Sequence, residues 1–122
     1  MNRPKSTPTL RKRITPRVKV WVEIDGRYGF GHGLSEILKA VEATGSIKDG
    51  AARVGKSYRY AWGRIKMAEK ALGIRLVQTR VGGSEASRSS LTPKAQELVA
   101  QFDALRKRAF SVIEREFSAR KT

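Results

Sequence analysis

Hydrophobic and polar positions change period several times along this chain, and each change marks an element. From Arg17 the pattern alternates: Val18, Val20, Val22 and Ile24 fall on one face, Lys19, Trp21 and Glu23 on the other. Alternation of period two predicts a strand. Asp25-Gly26 is a hairpin turn signal leading to a short return through Tyr28 and Phe30, which gives a hairpin over 17–30. The glycine-rich "GFGHG" that follows reads as a loop. Leu34, Ile37, Leu38 and Val41 then recur at helical spacing, and Gly45 stands where a left-handed cap ends a helix over 34–44. Ser46, three residues before Asp49, has the spacing of a capping box. Its hydroxyl takes a free N–H of the first turn, and the carboxylate reaches back to the cap's own N–H. The short helix it opens, 47–54, carries Ile47, Ala51, Ala52 and Val54 and stops at Gly55. Ser57 caps a third helix over 58–72, with Ala61, Ile65, Ala68 and Leu72 on one face and Gly73 at its end.

Period two then returns. "IRLVQTRV" reads as a strand, "GGSEASRS" as a polar turn and "SL" as a short return, a second hairpin over 74–91. Thr92 caps the last helix and Pro93 takes its first position, where the missing N–H costs nothing. That helix runs over 93–117 with Ala95, Leu98, Val99, Phe102, Leu105, Ala109, Val112 and Ile113 on one stripe. Two short helices joined at a glycine, the second longer and more basic, followed by a basic hairpin, predict a winged helix-turn-helix. The fold class is mainly α with small β, carrying an N-terminal β-hairpin and a long C-terminal helix. A helix of ~10–12 Å diameter fits the ~12 Å major groove of B-DNA, so the third helix is the expected reader and the hairpin the wing.

Charge sharpens this picture. Lys and Arg number 26 against 11 Asp and Glu, a formal net charge of +15 over 122 residues. Nucleic acid is the expected polyanionic partner, since such a chain releases condensed counterions on binding phosphate. Against an anionic membrane, no apolar run approaches the ~20 residues that span a bilayer. Residues 1–16 combine Pro4, Pro8 and Pro16 with Arg3, Lys5, Arg11, Lys12 and Arg13 and no acid. They read as a flexible basic arm, or as a solvated tail, ahead of a single domain over 17–122. The start lacks the apolar stretch of a secretory signal, so a cytoplasmic location is expected.

Candidate catalytic chemistry is sparse. Cysteine is absent, which removes disulfides, thiolate metal sites and cysteine nucleophiles together. A lone histidine, His32, makes neither a metal site nor a triad. The acids are scattered, and no phosphate-binding glycine loop occurs. No enzyme activity, metal, cofactor or small-molecule effector is expected.

The stretch "ATGSIKDGAARVGKSYRYAWGRIKMAEKALGIRLVQTRVGG", followed by "LTPKAQELV", resembles the DNA-binding domains of LysR-type regulators. It is still more similar to the amino-terminal domains of ModE-type molybdate-responsive repressors, in which "GSI", a short helix, "SY.SAW" and a glycine-rich wing follow in the same order. The resemblance covers about Leu34 to Ile113, and Ser57 to Trp62 is its most specific part. It implies a winged helix that dimerises through its outer helices and binds a two-fold symmetric operator. The molybdate-binding module of that family has no counterpart in these residues, so the resemblance implies DNA binding and gives no expectation of oxyanion sensing.

At ~100° per residue, Arg59, Gly63, Lys66 and Lys70 fall opposite the buried face of the third helix. Arg59 is the candidate base reader, because an arginine fork pairs bidentately with guanine O6 and N7. Lys66 and Lys70 suit phosphate. Gly63 costs the helix about 1 kcal/mol against alanine. Two offsets are open: close approach to the groove wall, or room for a bulky neighbour from another helix. Tyr60 and Trp62 border the basic row, Tyr60 toward phosphate or a thymine methyl and Trp62 toward either recognition or packing. Tyr58 is a DNA-contact candidate that points closer to the buried face and is expected to be at least half scaffold, and Arg64 is expected to be an ion-pair partner or phosphate contact. Ser57, Ser46 and Lys48 are further phosphate candidates, as are Arg75, Arg80 and Arg88 around Gly82 and Gly83 in the wing.

The stripe on the last helix exceeds what one small domain covers. Leu98, Phe102, Leu105, Ala109, Val112 and Ile113 are therefore expected to form a homodimer interface, unless the stripe folds back on the domain itself. A dimer sets two reading helices about 34 Å apart, one turn of DNA. A sequence-specific regulator of double-stranded DNA is the leading reading. A nucleoid-type architectural protein and a winged-helix interaction module are the alternatives.

Overall fold

The computed structural model describes residues 10–80 and 88–120. Elements follow in the order α1 (Leu10–Arg13), β1 (Trp21–Ile24), β2 (Arg27–Gly31), α2 (His32–Thr44), α3 (Ile47–Arg53), α4 (Tyr58–Leu72), β3 (Val77–Arg80), β4 (Arg88–Leu91) and α5 (Pro93–Ala119). Four substantial helices and two separate antiparallel hairpins give the winged helix-turn-helix arrangement with an added N-terminal hairpin. Most of the basic arm lies outside the described residues. Within its remainder, Leu10–Arg13 forms one helical turn.

The N-terminal hairpin turns on Asp25 and Gly26, both left-handed at φ 52° and 79°, as a two-residue turn between right-twisted strands requires. Its register shifts between Val22 and Glu23, where Val22 pairs with Phe30 but Glu23 with Tyr28, leaving Gly29 as the extra residue. This bulge interrupts the expected alternation. Val20 packs against the core and Ile24 is half-buried, but Val22 stays 39% exposed. The glycine-rich segment read as a loop is ordered instead. β2 runs through Gly31, and α2 begins immediately at His32, two residues earlier than the apolar spacing indicated, with no side chain capping it. The apolar period could not register those first turns because His32 and Gly33 are both exposed.

The core gathers Leu34, Leu38 and Val41 of α2, Ala61, Ile65 and Ala68 of α4, Leu76, Val77 and Leu91 at the base of the wing, and Ala95, Val99 and Phe102 of α5. Phe30 closes it from the N-terminal hairpin, edge-on to Phe102 with ring centroids 5.2 Å apart. α2 and α3 cross closely at Gly50, where a Cβ would stand 2.8 Å from the backbone nitrogen of Val41. No larger residue fits that crossing, and the crossing sets the angle at which α3 braces α4.

Capping follows the sequence in most places. Ser46 Oγ accepts from Asp49 N–H at 2.9 Å, Ser57 Oγ from Tyr60 N–H at 3.0 Å and Thr92 Oγ1 from Ala95 N–H at 3.2 Å. The capping box at Ser46 is half-formed. The Ser46 N–H donates to Thr44 Oγ1 at 3.4 Å, so the preceding helix supplies the acceptor expected of Asp49.

Candidate nucleic-acid interface

α4 buries Ala61, Ile65 and Ala68 and turns Arg59, Lys66 and Lys70 outward. Among the described residues Arg59, Lys70 and Lys48 take part in no ion pair. Lys66 bonds Glu69 at 3.2 Å and lies 5.7 Å from the Trp62 ring. Lys66 therefore carries less free charge than its place in the row suggested. Gly63 sits in open space, with nothing within 4 Å of an added Cβ. Of its two offsets, room for a neighbouring side chain is removed.

The three rings differ from expectation in one respect. Tyr58, expected to be at least half scaffold, is the most exposed at 52%, against 47% for Tyr60 and 44% for Trp62. It lies on the flank of α4 beside the core face, but the wing stands away from that flank and leaves a groove instead of a packed contact. That groove, about 340 Å³, is lined among others by Lys48, Tyr58, Trp62, Lys66 and Arg75. The opposite flank meets the N-terminal hairpin. There the Arg64 guanidinium lies 5.0 Å from the centre of the Tyr28 ring, a cation–π contact in place of the expected ion pair or phosphate contact. Lys56 covers Tyr60 in the same manner at 5.2 Å.

In the wing, Arg80 and Arg88 face each other as the last paired residues before the tip, and both are exposed. The expected glycines, Gly82 and Gly83, lie outside the described residues. Arg88 also leans over the end of α2: a Cβ at Gly45 would meet its guanidinium carbon at 2.9 Å. Ser46 and Lys48 open α3 beside the groove, with the Ser46 hydroxyl held in its cap. Ser57 is exposed at the start of α4 and caps it.

Two carboxylates that spacing did not single out fix the wing to the helices. Glu69 Oε2 accepts from the N–H groups of Leu76 at 2.8 Å and Val77 at 3.2 Å. Glu42 Oε2 accepts from Leu91 N–H at 3.0 Å. Burial pushes the Glu69 carboxyl up, but the two backbone donors and Lys66 more than offset this, and it titrates below its ordinary value. A third carboxylate, Asp103, joins α5 to α2 by accepting from Ser35 Oγ at 2.9 Å and Lys39 Nζ at 2.8 Å. Its own burial is likewise outweighed, chiefly by Lys39 and Ser35, and its pKa falls. The bonds to Asp103 and Glu36 raise that of Lys39.

The apolar stripe of α5 divides. Phe102, expected at a dimer interface, is buried in the chain's own core at 3% exposure, because Phe30 of the N-terminal hairpin reaches it. Leu98 packs against the same core. Beyond them Leu105 is 50% and Val112 46% exposed, with Ala109 and Ile113 half-buried. An apolar groove of about 230 Å³ lies between the N-terminal hairpin, the end of α4 and α5, lined by Val22, Ile24, Leu72 and Leu105 among others.

Fold and exposed basic helix together are those of a winged helix-turn-helix protein. The chain is 34% identical over 80 residues to the molybdenum transport protein ModE of Herbaspirillum seropedicae, a match covering 66% of this chain and 30% of that protein. It is 33% identical over 69 residues to the molybdenum-pterin-binding protein MopB of Rhodobacter capsulatus, covering 57% of this chain and 26% of that one. The chain thus spans less than a third of the curated relatives it matches. No protein-family model matches it. Among the described residues no helix is long and apolar enough to cross a membrane, and no group of three or more His, Asp or Glu side chains is placed to hold a metal.

Proposed function

We propose that this protein is a transcriptional regulator that binds double-stranded DNA as a homodimer, with α4 in the major groove and the wing on the backbone or the adjacent minor groove. The observation that carries the reading is the outward row of α4. Arg59 and Lys70 stand without ion pairs among the described residues, on a helix braced by α3, in a chain of net charge +15. Arg59, near the start of α4, is the base reader. Lys70, Lys66 and Lys48 neutralise phosphate, and Ser57, Ser46, Tyr60 and Tyr58 border the same surface. Open space at Gly63 lets the α4 backbone approach the groove wall. The wing supports the assignment independently. Arg80 and Arg88, paired in register near the end of the hairpin and both exposed, put two cations on the wing, which suits DNA phosphate.

The distal half of α5, with Leu105, Ala109, Val112 and Ile113, meets its counterpart in a second copy, and the apolar groove beside Leu105 receives part of that contact. The family likeness supports a regulator, and the polar, open character of the surface supports binding over catalysis.

Selection of bound sites from a random duplex pool tests the proposal. A two-fold symmetric consensus with half-sites about 10 base pairs apart is the expected outcome. Tight, steeply salt-dependent binding with no preferred sequence instead assigns the protein to architectural DNA binding, the reading its high net charge favours.

A further inference from the structure

The groove between α4 and the wing has a chemistry that reading base edges in an intact duplex does not use. Its floor is apolar, formed by Ile65 and Val77. Two half-exposed rings, Tyr58 and Trp62, stand one helical turn apart along one wall, with Lys48 and Arg75 at the margins. Hydroxyls of Ser46, Thr79 and Ser89 also line it, and among the described residues no carboxylate does. An apolar floor and aromatic faces suit a nucleobase, hydroxyls suit its polar edge, and cations suit the attached phosphate. In a stacked duplex the faces of bases are covered by their neighbours and only edges are offered, so aromatic faces find a partner only in a base that has left the stack. These rings also point toward the wing, off the outward row of Arg59, Gly63 and Lys70.

We propose that the groove between α4 and the wing binds an unstacked nucleotide of single-stranded DNA, its base against Trp62 and Tyr58 and its phosphate between Lys48 and Arg75. Lys66 spans from the Trp62 ring to Glu69, so besides the phosphate role proposed for it above it steadies that ring in the groove. The inference rests on the nucleic-acid reading above but not on its duplex geometry. It implies preference for sites where strands separate, and a second mode of binding beside the major-groove mode.

The chain has two tryptophans, so Trp21→Phe leaves Trp62 as the only one. Trp21 is 48% exposed on the N-terminal hairpin and outside the core cluster, so a phenylalanine there keeps the fold. Titration of this variant with a ten-residue oligothymidylate at ~150 mM salt should quench Trp62 emission in step with binding followed by anisotropy of the labelled strand. Trp62→Leu should weaken strand binding ~5- to 100-fold, the range typical of one lost base stack, with an unchanged circular dichroism spectrum. Lys48→Gln and Arg75→Gln should each lower the salt slope by about 0.7, the single-strand value for one phosphate contact.

Strand binding without a change in Trp62 emission, or undiminished binding by Trp62→Leu, overturns the proposal. Thymidine monophosphate quenching at the same concentration as the strand overturns its assignment to a strand and gives the groove to a free nucleotide. Duplex DNA as a parallel arm keeps the two readings apart. Duplex binding with no strand quenching removes this proposal alone, and strand quenching with no duplex binding removes the duplex reading alone.

Discussion

The two hairpins are built alike and held differently. Each has two short antiparallel strands and reaches the core, the N-terminal one through rings and the wing through Leu76, Val77 and Leu91, but only the wing adds carboxylates that accept from its backbone. Phe30 enters the core against Phe102, and Tyr28 lies under Arg64. The wing is fastened at its base by backbone N–H groups donating to Glu69 and Glu42, and by Ser89 N–H donating to the Gly45 carbonyl at 2.8 Å, the bond that caps the end of α2 onto β4. Apolar anchoring is insensitive to pH and salt, whereas carboxylate anchoring is not. The wing, whose arginines we assign to DNA, is thus the hairpin whose position depends in part on ionised carboxylates.

Removing the ring anchor should have the largest effect. Phe102→Ala is expected to lower stability by about 3–5 kcal/mol, measured by urea denaturation, because it leaves a cavity beneath Phe30. Its effect should be the same at pH 5 and pH 8. Glu69→Ala should cost about 1–3 kcal/mol by stranding the N–H groups of Leu76 and Val77.

The wild type should show the corresponding acid dependence. Glu69 and Asp103 titrate below their ordinary values in the fold, so their stabilisation is complete above the ordinary carboxylate range of about 4 to 4.5 and is lost as pH falls through the lowered values. Lys39, raised above 10.5, contributes fully below that pH and loses its contribution only as pH rises through the raised value. Thermal melts across this range check both signs, and Glu69→Ala should have a shallower acid limb than the wild type.

Gly63→Ala has the smallest effect on the fold and the more informative one. With open space around Gly63, alanine should raise stability by about 1 kcal/mol. The same methyl should weaken duplex binding by standing between α4 and the groove wall. Stabilisation with unchanged binding would remove DNA approach as the reason for a glycine there.

Much of this fold was legible in the sequence because its signals are local. Ser46, Ser57 and Thr92 announce their helices by spacing alone, and the face of Ala61, Ile65 and Ala68 follows from helical period. Four features were not legible. The bulge at Gly29 and the early start of α2 depend on how the N-terminal hairpin docks, and neither changes the apolar period. The roles of Glu69, Glu42 and Asp103 arise from contacts across 7 to 68 positions, which no short motif encodes. The exposure of Tyr58 was not legible because the helical angle gives its direction but not the distance to the wing, and that distance makes a groove.

The central claim is that α4 reads duplex DNA through Arg59. Its most direct test is the affinity of wild type and Arg59→Ala for a selected duplex and for an unrelated one, measured by anisotropy over a series of salt concentrations. Arg59→Ala should lose about 1–3 kcal/mol on the selected duplex and relax preference at one base pair, while binding to unrelated duplex should change by no more than the loss of one charge. Equal affinity of the two proteins for the selected duplex would contradict it.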